Sequence, residues 1–271
     1  MSLHESPSSS ISEADKGTSS DFAISVESLR LSFGDRSVID EFTLNVKKGE
    51  FVSIVGPSGC GKTTVLNIMA GLVPYQEGSV TLNGVSPKLG THDIAYMMAR
   101  DALYPWRSVM RNVTLGADIR KADRTETRRR AIHLLQQVGL GDMPEAYPKA
   151  LSQGMRQRVA LARTFCLDSP VLLMDEPFGA LDAQTKLRLE DVLLQLWEEE
   201  KRTVVFITHD LNEAIAMSDR VIVMSSRPSR IIADVPIDLG RPRSVRELQS
   251  DPRYHELYTT LWKELERGLT P

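Results

Sequence analysis

The stretch GPSGCGKTT, residues 56–64, directly follows the apolar run FVSIV at 51–55. Three glycines and a lysine crowd into seven positions. The pattern G-x-x-x-x-G-K-[ST] is met at Gly56, Gly61, Lys62 and Thr63, with a predicted strand before it and a predicted helix after it. Gly59 and Gly61 let the backbone curl so that its N–H groups converge on phosphate oxygens, and the helix N-terminus adds positive potential. Lys62 is placed to reach the β- and γ-phosphates, and Thr63 offers a hydroxyl to Mg²⁺. Pro57, Ser58, Cys60 and Thr64 complete the stretch that would touch the triphosphate. Residue frequencies put a chance match at about 1% for a chain of this length, so the motif is read as a real phosphate loop.

Working outward, the segments 22–33 and 37–55 alternate apolar and polar residues as half-buried strands do, with a turn at Lys48-Gly49. A helix is expected over 64–72 and a short strand over 78–85, ending in an Asn83-Gly84 turn. From about 97 to 167 the pattern is mainly helical, which reads as an inserted subdomain. VLLMDEP (171–177) is a buried parallel strand, and helix, strand, helix and strand follow to about 225. This alternation predicts an α/β core with a mainly parallel sheet. Residues 244–268 are expected to form a terminal helix in a 241–271 extension. Residues 1–21 are Ser-rich and polar and are read as a disordered tail.

Composition narrows the function. The 271-residue chain is 41% hydrophobic and 25% charged, with a net charge of −3, which gives no reason to expect nucleic acid. Two cysteines are too few for a disulfide framework and fit a reducing cytosol. No apolar run approaches the roughly 18 residues of a membrane helix. Cys166 is read as a core residue, and Cys60, at a positive helix end, as a thiol of lowered pKa open to nucleotide-protectable alkylation.

VLLMDEP carries Asp175 and Glu176 to a strand end, where ligands sit in open α/β sheets. Asp175 is the candidate metal ligand and Glu176 the candidate base for an attacking water.

LSQGMRQRVALAR (151–163) resembles the signature motif of ABC ATPases, LSGGQ, and the other motifs follow in that family's order. Phe33 stands where an aromatic stacks on adenine, FGALD (178–182) resembles the D-loop with Asp182, and THD (208–210) puts His209 in the switch position. The resemblance covers about residues 22–240 and implies a P-loop NTPase core with an antiparallel β subdomain and an inserted helical subdomain. It further implies two subunits closing head to tail around two ATP molecules, Ser152 and Gly154 of one facing the γ-phosphate held by the other. Local similarity in LYPWRSVMRNV (103–113), VIVMSSRPSRII (221–232) and LGRPR (239–243) resembles importer subunits for nitrate, sulfonate and taurine. That reading implies permease partners, an indirect solute-binding protein and a place on the cytoplasmic face of the membrane. The alternatives are a weakly hydrolysing or regulatory subunit, and a soluble ABC ATPase outside transport.

Two positions depart from the family. Gln153 replaces a signature glycine, which is tolerable if its φ stays negative. Ala99 stands where the Q-loop glutamine falls when counted back from Pro105-Trp106. Alanine cannot approach a metal, which leaves Arg100, Asp101 or purely mechanical coupling by the loop.

Overall fold

The computed structural model describes residues 21–179 and 181–269. Most of the predicted polar tail, and Ala180 of the FGALD stretch, therefore lie outside the described residues. Asp21 accepts a hydrogen bond from Lys48 N at 3.1 Å.

Strands β1 (Phe22–Phe33), β2 (Arg36–Lys47) and β4 (Glu77–Leu82) form an antiparallel sheet in the order β2-β1-β4. At the end of β4, Asn83 and Gly84 take φ of 48° and 81°. Leu82 and Val85 exchange two backbone hydrogen bonds across them, as a two-residue turn of this type requires. The second sheet has six strands: β5 (Ile94–Met97), β6 (Val171–Asp175), β7 (Thr203–Ile207), β3 (Phe51–Val55), β8 (Arg220–Met224) and β9 (Ile231–Pro236), in that spatial order. All neighbours are parallel except β8 and β9. β3, β6 and β7 are buried at every residue, as strands covered on both faces are. β5 and β9 add two strands to those legible in the sequence. Both lie at sheet edges, and β9 is only half-buried.

Helix α1 (Lys62–Met69) leaves the phosphate loop. Between β5 and β6 lie α2 (Val109–Val113), α3 (Leu115–Ile119), α4 (Arg124–Gln137) and α5 (Gln153–Cys166). Helices α6 (Ala183–Glu200) and α7 (Leu211–Met217) alternate with the later strands. An aromatic cluster fixes the heart of the sheet: Phe51 meets Trp197 at 5.7 Å and Phe206 at 5.8 Å, and Phe206 meets Phe178 at 5.9 Å between ring centroids. Phe178 is two residues past Glu176, so the core anchors the turn that carries that carboxylate.

The expected single terminal helix is two helices, α8 (Val245–Leu248) and α9 (Pro252–Leu269). Pro252 excludes helical backbone at Asp251 and suits a first helical position. Asp251 instead caps the new helix, accepting Arg253 N at 2.9 Å. α9 reaches back to the core at both ends. Tyr254 OH donates to Asn212 Oδ1 at 2.9 Å, and Gly268 O accepts Ser226 N at 2.9 Å. Arg243, buried, donates to Ser218 O at 2.6 Å and to Ile215 O and Ala216 O at 3.3 Å, satisfying carbonyls at the end of α7.

Glu190 on α6 is 3% exposed. Burial, reinforced by Glu213, pushes its carboxyl up to about 7, with Lys186 opposing. The folded chain therefore holds this proton where the unfolded chain has released it, and the stability it lends is lost as pH rises from about 5 to above 7. Glu190→Gln is expected to match wild type near pH 5 and to exceed it by on the order of 3 kcal/mol near pH 8. Urea unfolding at the two pH values checks this, and an equal effect at both would refute it.

Candidate nucleotide site

The C-terminal ends of β3, β6 and β7 lie level, since Ile54 pairs with Ile207 and Ile207 with Asp175. The loops after these strands therefore share one edge of the sheet. The phosphate loop leaves β3 with Gly59 at φ 75° and Gly61 at φ 118°, both in the left-handed region that favours glycine. A Cβ on Gly59 would meet open space, whereas one on Gly56 would lie 2.9 Å from Met224 O. Gly56 is thus required by the strand beneath it, and Gly59 by its backbone conformation.

Lys62 is 6% exposed, and its Nζ donates to Gly56 O at 2.8 Å and Pro57 O at 3.1 Å. Among the described residues no carboxylate lies within ion-pair distance of it. A buried ammonium held only by neutral carbonyls is a site built for an anion. Thr63 Oγ1 donates to Asp175 Oδ1 at 3.1 Å. Burial pushes the Asp175 carboxyl above its ordinary value, and the Thr63 bond only partly offsets this. A divalent cation would relieve that desolvation. The set fits Mg²⁺, which binds through one or two protein oxygens, waters and phosphates. Among the described residues no group of three or more His, Cys, Asp or Glu could hold a metal alone.

Glu176 adopts φ 45°, a left-handed conformation that costs a non-glycine residue of order 1–3 kcal/mol. Its N–H donates to Ile207 O at 2.9 Å, its O accepts Gly179 N at 3.2 Å, and Gln157 on α5 donates to Pro177 O. These bonds turn the carboxylate out of the strand toward His209, whose Nδ1 is 3.5 Å from Glu176 Oε2. The two residues, 33 positions apart, come together only through the β6–β7 pairing.

Phe33, at the tip of the β1–β2 hairpin, is 58% exposed. The hairpin adjoins the phosphate loop, since a Cβ on Gly61 would lie 3.3 Å from Val38 Cγ1. Cys60 is the correction. It is 1% exposed, and burial pushes its thiol up against the opposing charge of Lys62. It lies under the loop beside Gly56, so it is not the accessible, activated thiol that its sequence neighbours implied. Cys166 is a buried core residue.

Ser152 caps α5, accepting Met155 N at 3.3 Å, and Asp182 caps α6, accepting Thr185 N at 3.0 Å. The two helix starts touch: a Cβ on Gly154 would lie 2.6 Å from Thr185 Cγ2. Both caps make these bonds within their own helix starts, which places Ser152, Gly154 and Asp182 on two adjoining helix N-termini. Gln153 opens α5 and is not among the residues of positive φ, so its N–H joins the helix N-terminus.

The loop after β5 also has a definite anchor. Asp101 Oδ2 accepts Arg156 Nε at 3.0 Å, and Arg163 donates to Asp101 O at 2.6 Å and Ala102 O at 2.9 Å. Asp101 is thus engaged with α5 and not with the Thr63–Asp175 pair. Ala99 and Arg100 are exposed. Tyr104 and Trp106, 41% and 69% exposed, pack edge to face at 5.3 Å on the same stretch.

Comparison with known proteins agrees with this geometry. The ABC transporter family model matches residues 39–179. The chain is 44% identical to the uncharacterized ABC transporter ATP-binding protein YtlC of Bacillus subtilis, over 84% of this chain and 88% of that one. It is 36% identical to the taurine import ATP-binding protein TauB of Escherichia coli, over 85% of this chain and 92% of that one. A solved dimeric ATP-binding cassette in a post-hydrolysis state, bound to ADP and Pi, superposes with a TM-score of 0.70 at 30% identity, covering 80% of this chain and all of that one. Its fold is accordingly that of an ABC cassette, its substrate is ATP with Mg²⁺, and the chain belongs to the ABC transporter family as an ATP-hydrolysing, ATP-binding subunit.

Proposed function

We propose that this chain energises an importer of small solutes such as taurine, sulfonates or nitrate, acting as one of a pair of ATP-binding subunits on membrane permease subunits. The observation that carries this reading is the 36% identity with a taurine import ATP-binding protein across 85% of the chain. Among the described residues no helix is long and apolar enough to cross a membrane. The subunit would then sit on the cytoplasmic face of the membrane, and a solute-binding protein would deliver the cargo. The exposed Tyr104–Trp106 pair offers the permease an apolar contact.

In this reading Lys62 leaves its two carbonyls for the β- and γ-phosphate oxygens, and the N–H groups of the loop and of the start of α1 take the remainder. Thr63 and Asp175 would hold Mg²⁺, which would supply positive charge against the phosphates. Glu176 accepts the proton of the attacking water, and His209 steadies the γ-phosphate side of the site. Phe33 stacks on adenine. Ser152 and Gly154 of a second subunit present the α5 N-terminus to the γ-phosphate, with Asp182 beside them.

Co-expression with candidate permease subunits, followed by ATPase assays in proteoliposomes loaded with taurine, a sulfonate or nitrate, tests the transport reading. Solute-stimulated hydrolysis is expected. Failure to co-purify with any membrane protein would favour a soluble ABC ATPase. A weakly hydrolysing subunit is the second reading, and Ala99 favours it. If the missing glutamine leaves the water poorly held, chemistry slows while binding survives. Ala99→Gln is then expected to raise turnover about fivefold, on the order of 1 kcal/mol, with ATP affinity little changed. An inert Ala99→Gln would show that the loop acts only through its Asp101–Arg156 anchor.

A further inference from the structure

Helices α6 and α7 begin at the two loops next to Glu176: Asp182 caps the first and Asp210, adjacent to His209, caps the second. One side chain ties these starts together. Lys186 Nζ lies 2.5 Å from Asp210 Oδ2 and 2.6 Å from Glu213 Oε1. Glu213 is 3% exposed, and its Oε2 accepts the Thr208 hydroxyl. Thr208 Oγ1 in turn accepts Asp210 N at 3.0 Å. The residues on both sides of His209 are therefore held by groups that lead back to one ammonium. Glu190, one turn along α6, adds a third carboxyl to the same buried surroundings.

We infer that Lys186 is a positioning residue for hydrolysis, holding the His209 loop against the start of α6 so that the imidazole stays beside Glu176. The inference rests on reading Glu176 and His209 as the hydrolytic pair. Without Lys186, Asp210 and Glu213 face each other in a poorly solvated cluster with no counter-charge. The strain is relieved by moving the first turn of α7 outward, and His209 moves with it. Displacing a reacting group costs far more in the transition state than in substrate binding. Lys186 makes no contact with the phosphate loop, so ATP binding should be spared.

The test compares steady-state ATPase, ATP affinity and thermal unfolding of the full-length chain for Lys186→Gln, Lys186→Arg, the double variant Lys186→Gln/Asp210→Asn, and Glu176→Gln as reference. Lys186→Gln is expected to lower kcat about tenfold or more while KM and ATP affinity stay within about twofold. Lys186→Arg should keep most of the activity, and the double variant should regain part of it because one uncompensated charge is gone. Wild-type kcat in Lys186→Gln, or a parallel loss of kcat and ATP affinity, overturns the inference. Should Lys186→Gln not fold, Asp210→Asn alone carries the test, with reduced kcat at unchanged KM expected and normal kcat overturning it. A fully active Glu176→Gln would instead remove the hydrolytic reading itself, whereas an inactive Glu176→Gln beside a normal Lys186→Gln removes only the role of Lys186.

Discussion

Glu176→Gln is expected to bind ATP within about twofold of wild type while turnover falls by about 10²–10⁴-fold, the usual contribution of a positioned general base. The substitution keeps size and shape, so the left-handed turn at φ 45° and its bond to Ile207 O should survive. The Lys62 and Thr63–Asp175 contacts are untouched, which is why binding persists. Only the ability to accept a proton is lost. With ATP bound and not consumed, the closed pair of subunits should accumulate and be visible by light scattering. Phosphate release and nucleotide titration on the same preparation separate the two effects. Undiminished turnover would move the base role to another group.

Lys62→Ala is expected to weaken ATP binding by about 10²-fold or more. Two charge-assisted hydrogen bonds of about 1.5–3 kcal/mol each are removed from a water-poor site. The apo fold should suffer little, because a buried cation resting on two carbonyls costs desolvation with no direct ion pair in return. A thermal-shift titration distinguishes these effects. The wild-type midpoint should climb with Mg-ATP, and the variant should start at a similar midpoint and stay flat. A titration within a few-fold of wild type would remove the phosphate-loop assignment.

What the sequence made legible follows the range of the interactions involved. The phosphate loop could be read from nine residues because its requirements are local: glycine backbone, one ammonium, one hydroxyl. The Asn83-Gly84 turn is local for the same reason. The proximity of Glu176 and His209 is not local, since it depends on the β6–β7 register and on Ile207 O accepting Glu176 N. His209 was reachable only through resemblance to a family. Cys60 was misread because sequence shows the charge two residues away but not the burial beneath Met224 and Gly56. The break between α8 and α9 was legible at Asp251-Pro252 and was outweighed by a strong helical pattern on both sides. Lys186 gave no signal, because it acts on groups more than 20 residues away.

We propose that the ATP this chain hydrolyses lies at a site shared between two subunits, the phosphate loop of one and the Ser152–Gly154 helix start of the other. The most direct measurement is release of phosphate from Mg-ATP by the purified full-length chain as a function of chain concentration. The account predicts Mg²⁺-dependent hydrolysis whose rate per subunit rises with concentration until the pair is saturated, and which Ser152→Ala lowers without changing ATP affinity. A rate per subunit that stays constant down to the highest dilution, or one that is indifferent to Ser152→Ala, would contradict it.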